Sequence, residues 1–232
     1  MEEQSLALSF GNSLTEEVSG ITGEYVEIGL DALVEDGILK DIPIVSTAVS
    51  IYRIGKSIRE RHHVAKLISF LNEINKGIAD EEKRQKYREK FCRNEKFRNQ
   101  ELEYILILVD RYISFDKPQM LAKLYLAYLD GEIIWEEFTM YAEVIDRFLL
   151  LDCRTLTSDA ERFIVPRGIV GSESILRLVA LGLMAEVTNT SAFEEHGNGN
   201  ISMTWETLSR SISTDKTYRR TEFGEKLANI LR

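Results

Sequence analysis

The chain has 232 residues, 44% of them hydrophobic and 29% charged, an ordinary globular balance that can fill a core. A net charge of -9 disfavours general affinity for nucleic acid. Cys92 and Cys153 stand far apart in no paired motif, which excludes a disulfide framework and points to a reducing compartment.

Residues 1–36 read as an amphipathic N-terminal arm. Leu6, Phe10, Leu14, Val18 and Ile21 recur at helical steps, and Gly11, Gly20, Gly23 and Gly29 weaken the helix. Such an arm is expected to lie on its own domain. The opening MEEQSLALSF carries acids where a secretory leader has a basic region, so the cytoplasm is the expected compartment.

Residues 37–153 read as a helical bundle. Its entrance, DGILKDIPIVSTAVSIYRIGKSIRERHHVAKLISFLNEIN over 36–75, carries the longest apolar run outside the bundle's other helices. Pro43 suits a first helical turn. Ile51, Ile54, Ile58, Ala65 and Ile68 form one stripe, and Val64, Leu67, Leu71 and Ile74 form a second, so the helix is expected to touch at least two neighbours. Within this stretch Ile42, Ile44, Val45, Val49 and Tyr52 are the candidate interaction or membrane face. The run is far too short to span a bilayer but long enough for peripheral contact, with Arg53 and Lys56 close behind it. Gly55-Lys56-Ser57 matches the end of a phosphate-binding loop, but Ser50 stands where the first Gly belongs, and Asp110 falls in a helical context. No nucleotide site is expected. His62 and His63 point to different helix sides, so at most one is expected in the core.

Further along, Tyr87 and Phe91 punctuate a basic segment, and Lys83, Arg84, Lys86, Arg88 and Lys90 form a candidate basic face. Local pairing with Glu81, Glu82 and Glu89 makes a solvated helix the preferred reading. Residues 95–113 read as a core helix on Leu102, Ile105, Leu106, Val109 and Ile113. Asp116-Lys117-Pro118-Gln119 has the form of a capped helix start, and Asp130-Gly131 the form of a stop. One further helix is expected from Ile134 to Leu151. An EF-hand alignment on Gly131 places Leu126 and Tyr128 at ligand positions and is rejected.

Residues 154–232 change character. Ser158 and Glu161 have capping-box spacing for a short helix, and Pro166-Arg167-Gly168 reads as a turn. A helix is expected over 172–181 with Ile175, Leu178 and Val179 inward. Strands are expected over 183–188 and 217–219, with a final helix from Thr221 through Leu231. Leu178-x-x-Leu181-Gly182-Leu183 before one strand, and Tyr218-Arg219-Arg220-Thr221-Glu222-Phe223-Gly224-Glu225-Lys226-Leu227 after the wing, resemble the winged-helix family. The resemblance implies a small α+β module that binds DNA or protein. The candidate recognition helix is base-poor, with Arg177 beside Glu173, so nucleic acid is not the expected partner. The whole chain is also similar to a group of uncharacterised bacterial helical proteins with a D-x-x-x-x-x-I-P-I-V-like segment before a bundle, matched here by Asp36 and Ile42-Pro43-Ile44-Val45. That resemblance implies a setting in phage defence or toxin–immunity systems.

The histidines and cysteines have no metal spacing, no G-x-S-x-G is present, and the carboxylates are scattered. No catalytic residue, cofactor or metal is expected. The sequence therefore predicts a mainly α protein, a helical bundle followed by a small winged-helix-like module. It predicts a non-enzymatic interaction or regulatory role with a protein partner or self-association. A membrane-associating effector and a DNA-binding regulator are the alternatives.

Overall fold

The computed structural model describes residues 11–13, 58–78, 81–93, 95–165, 173–187 and 216–232. The arm, apart from residues 11–13, and the segment holding Ile42, Ile44, Val45, Val49 and Tyr52 lie outside them, as do Pro43 and Gly55-Lys56-Ser57. The fold is mainly helical with a small antiparallel sheet near the C-terminus, and the chain divides into two compact units, Met1–Arg147 and Phe148–Arg232.

The first unit contains α1 (Ile58–Gly77), α2 (Glu81–Arg93), α3 (Glu95–Arg111), α4 (Asp116–Asp130) and α5 (Trp135–Arg147). α1 buries the whole second stripe, Val64, Leu67, Leu71 and Ile74, together with Phe70; of the first stripe Ile68 is in the core and Ala65 is half-buried, while Ile51, Ile54 and the Ile58 side chain lie outside the described residues. A buried face this wide takes two neighbours, and α1 packs on α4 and α3. Its end runs close to α4, since a Cβ on Gly77 would collide with the Leu126 side chain. The helical turn at 11–13 lies on α3, where a Cβ on Gly11 would stand 3.2 Å from Leu102 Cδ1. α4 then packs on α5 through Leu124, Tyr125 and Phe138, all fully buried.

Three expectations for this unit need correction. Ile113 is 86% exposed because α3 ends at Arg111, and the chain beyond it turns towards α4. The start of α4 falls one residue early: Phe115 is its N-cap without a side-chain bond, Asp116 is already helical, and Gln119 reaches α1 instead of its own cap. The helix expected from 134 to 151 is broken after Arg147. Leu149 is extended, and its N–H donates to the Asp152 carboxylate at 3.2 Å, so a new helix begins. The stop at Gly131 is as predicted, with φ 84°.

The second unit contains α6 (Leu150–Thr157), β1 (Phe163–Val165), α7 (Glu173–Ala180), β2 (Met184–Glu186), β3 (Lys216–Arg220) and α8 (Glu222–Leu231). The sheet order is β1-β3-β2, with Phe163 opposite Tyr218 and Met184 opposite Arg220. Leu156, Leu178, Leu183, Tyr218, Leu227 and Ala228 make its core. Thr221 caps α8 by accepting from the Gly224 N–H at 3.0 Å, as the sequence suggests. Gly224 is also pressed onto β2's approach, since a Cβ there would collide with the Leu183 carbonyl. The predicted helix after Ser158 is absent. Ser158 ends α6, its hydroxyl donating to Thr155 O at 2.9 Å, and 163–165 is a strand.

Candidate functional site

Three places in the described residues gather chemistry-bearing side chains. The first is the corner between α3 and α4, gripped by one face of α1. Lys66 is 2% exposed, and its Nζ donates to the Asp110 and Tyr112 carbonyls, each at 2.7 Å. These are carbonyls that a helix end leaves without partners, so a buried ammonium caps α3. Ser69 Oγ donates to Phe115 O at 3.1 Å and accepts from Gln119 Nε2 at 3.1 Å. His62 Nε2 lies 2.8 Å from the Ile113 carbonyl, which can only accept, so that nitrogen carries the proton. Asp110 faces Arg59 at 3.0 Å and His63 Nδ1 at 3.3 Å.

His63 is buried and His62 half-buried, yet both rings reach the same corner, because the turn wraps around the helix. Burial lowers the His63 pKa below its ordinary value. Asp110 opposes that shift, and Lys66 and Arg59 add to it. Burial likewise lowers Lys66. Asp110 sits within α3, in the helical context expected of it, and its carboxylate is engaged by α1.

The second place is the predicted basic face on α2. Lys83 bonds Gly77 O at 3.2 Å and Asp130 at 2.9 Å, and Asp130 also accepts from the buried Tyr87 hydroxyl at 2.6 Å. Arg84 pairs with Glu81 at 3.5 Å, while Lys86 is exposed among Glu82, Gln85 and Glu89. The side chains of Arg88 and Lys90 lie outside the described residues. Lys83 thus holds α2 to its surroundings, while Arg84 pairs within the helix.

The third place is the side of α3 and α5, which the sequence reading did not single out. Side chains bridge the two helices at two levels. Tyr104 meets Trp135 edge-on at 5.8 Å and Phe138 at 6.5 Å, and Arg111 pairs with Asp146 at 2.5 Å. Trp135 stacks on Phe138 at 4.7 Å and meets Tyr128 at 5.4 Å. Tyr104 and Trp135 are half-buried; Ile107 follows Tyr104 by three residues and Ile134 directly precedes Trp135, each 60% exposed. Burial raises the Tyr104 pKa, with Glu143 and Asp146 adding to the shift and Arg111 opposing it, which places those carboxylates in the ring's field. The signal in the sequence was Ile133-Ile134-Trp135 set directly between Glu132 and Glu136 at a helix start.

In the second unit the candidate recognition helix α7 uses its cation internally. Arg177 Nε and Nη2 clamp Asp152 at distances from 2.6 to 3.1 Å, and Ser174 Oγ donates to the same carboxylate at 2.8 Å. Asp152 is fully buried. Burial alone would raise its pKa, but the bonds from Arg177, Ser174 and the Leu149 N–H hold it below its ordinary value. Arg220 and Arg232 in turn bond the carbonyls that end α6: Arg220 those of Leu156 and Ser158, Arg232 those of Thr157 and Ser158. The exposed positions of α7 are Glu173, Leu176 and Ala180.

Among the described residues no group of His, Cys, Asp and Glu is arranged to hold a metal ion, and no helix is long and apolar enough to cross a membrane. Comparison with family models, with curated proteins and with solved structures finds no match.

Proposed function

We propose that the chain is a non-enzymatic interaction or regulatory protein that engages a protein partner through its helical faces. The observation that carries this reading is the α3–α5 side, where exposed Ile107 and Ile134 accompany the half-exposed rings of Tyr104 and Trp135. Aromatic side chains held rigidly by neighbours and flanked by exposed aliphatics have the composition of binding hot spots. The polar clusters elsewhere are engaged in main-chain carbonyls and internal ion pairs, which suits a scaffold.

The test is a photo-crosslinking residue placed at Ile107 in the cell of origin, with the same residue at exposed Gln85 of α2 as control. A discrete protein adduct from position 107 and none from 85 is the expected result. No adduct from 107, or equal adducts from both, overturns the reading.

A second reading concerns the C-terminal unit. We propose that it is a winged-helix-like module that binds protein and not DNA. The order α7, β2, β3, α8 with a Tyr-containing strand and the Thr221 cap supports the resemblance. The engagement of Arg177 by Asp152 and the exposed Glu173, Leu176 and Ala180 support the choice of partner. Titration with duplex DNA at physiological salt checks it. A sequence-specific footprint would refute it. The setting in phage defence or toxin immunity rests on the resemblance of 36–45 alone.

A further inference from the structure

We propose that the α3–α5 side receives a basic amphipathic segment of its protein partner, an apolar anchor flanked by arginine or lysine. This rests on the interaction reading above and adds the chemistry of the partner.

The apolar part is the Tyr104–Trp135 ring contact, with exposed Ile107 one helical step after Tyr104 on α3 and exposed Ile134 next to Trp135. Among the described residues the exposed charge around it is mostly acidic. Glu103 precedes Ile107 by one turn of α3, Glu132 precedes Ile134, and Glu136 and Glu143 recur along α5, all four exposed. Of the nearby cations, Arg111 is turned onto Asp146, and exposed Arg147 stands at the far end of α5. The faces of Tyr and Trp rings attract ammonium and guanidinium groups, and carboxylates at the rim attract them from a distance. An anionic occupant such as a phosphate backbone, an acidic lipid surface or an acidic peptide would meet four carboxylates with little to neutralise them. A purely apolar occupant would strand those carboxylates at a drying edge, which costs desolvation without return. A helix or strand that alternates an apolar anchor with basic flanks satisfies both the centre and the rim.

The experiment titrates the full chain with a labelled helical peptide whose apolar stripe is flanked by arginines, read by fluorescence anisotropy. Two companions keep the same stripe and replace the arginines by glutamates or by glutamines. The basic peptide is expected to bind, and the other two are not. Raising the ionic strength from about 0.05 M to about 0.5 M should weaken binding about tenfold or more, because exposed rim charges are screened. Glu136→Lys combined with Glu143→Lys should weaken it by a similar factor, and Ile107→Asp should abolish it. These positions are exposed, and an unchanged thermal melt confirms that each variant folds. The salt titration of the unaltered chain stands if a variant does not.

Equal binding of the acidic or uncharged peptide, indifference to charge reversal, or no binding of any peptide overturns the proposal. A protein adduct at position 107 without affinity for the basic peptide refutes the partner's chemistry and leaves the interaction reading intact. Loss of both refutes the reading itself.

Discussion

Asp110 and Asp152 are both carboxylates gripped by an arginine from another helix, and they do different things. Asp152 is fully buried and takes bonds from Arg177, Ser174 and the Leu149 N–H, so every lone pair has a partner. Asp110 has a side chain 39% exposed, and its Arg59 partner is 83% exposed. Around it the decisive contact is made by a main chain: the buried Lys66 ammonium on two carbonyls. An ion pair therefore fixes the second unit, whereas in the first the ion pair is an accessory to a cap. Water access, more than the identity of the residues, decides which.

That contrast can be broken at its strong end first. Asp152→Ala removes the acceptor of Ser174, Arg177 and Leu149 N together, and should cost about 2–4 kcal/mol of stability. Urea unfolding of the full chain reads it as a lower midpoint. Lys66→Met keeps the buried stem but leaves the Asp110 and Tyr112 carbonyls without their donor. The expected loss is about 1–3 kcal/mol by the same measurement.

Acid should separate the two regions next. The folded pKa of His63 is lowered from 6.5, so the unfolded chain binds the proton first. Its neutral burial is unpenalised above the unfolded value, and stability falls as pH drops below 6.5 towards the folded value. His63→Gln should flatten that part of a stability–pH profile. Asp152, held below 3.8, contributes stability above its unfolded value that is lost only as pH falls through the folded one, in more strongly acid solution. A profile in which His63→Gln changes nothing around pH 6 would break the distinction. Smallest of all, Arg59→Ala should shift the unfolding free energy by less than about 0.5 kcal/mol, since exposed ion pairs are screened.

Local rules made much of this fold legible. Gly131 and Thr221 ended and began helices where their chemistry requires, and the periodicity of Leu102, Ile105, Leu106 and Val109 located α3. What escaped depends on distant partners. Phe163-Ile164-Val165 is a strand because β3 lies beside it, and nothing between 158 and 162 announces that. Asp152 stands one residue past the helix expected over 134–151, but its carboxylate takes the Leu149 N–H and Arg177, which ends that helix at Arg147 and starts α6. Ile113 matched a core spacing that α3 does not extend far enough to use. The α3–α5 face was hidden for a related reason. Tyr104 falls between the core positions Leu102 and Ile105, and only its meeting with Trp135 makes it part of a surface.

The strand order β1-β3-β2 also sets a clock on synthesis. The middle strand of the sheet is the last of the three to leave the ribosome, just ahead of the C-terminal helix. Until Lys216–Arg220 emerges, β1 and β2 have no strand between them, and their main-chain donors and acceptors lack these ladder partners. A nascent chain stalled before Lys216 therefore leaves β1 and β2 both without their shared partner, so these three strands join in a single late step that waits on Lys216–Arg220.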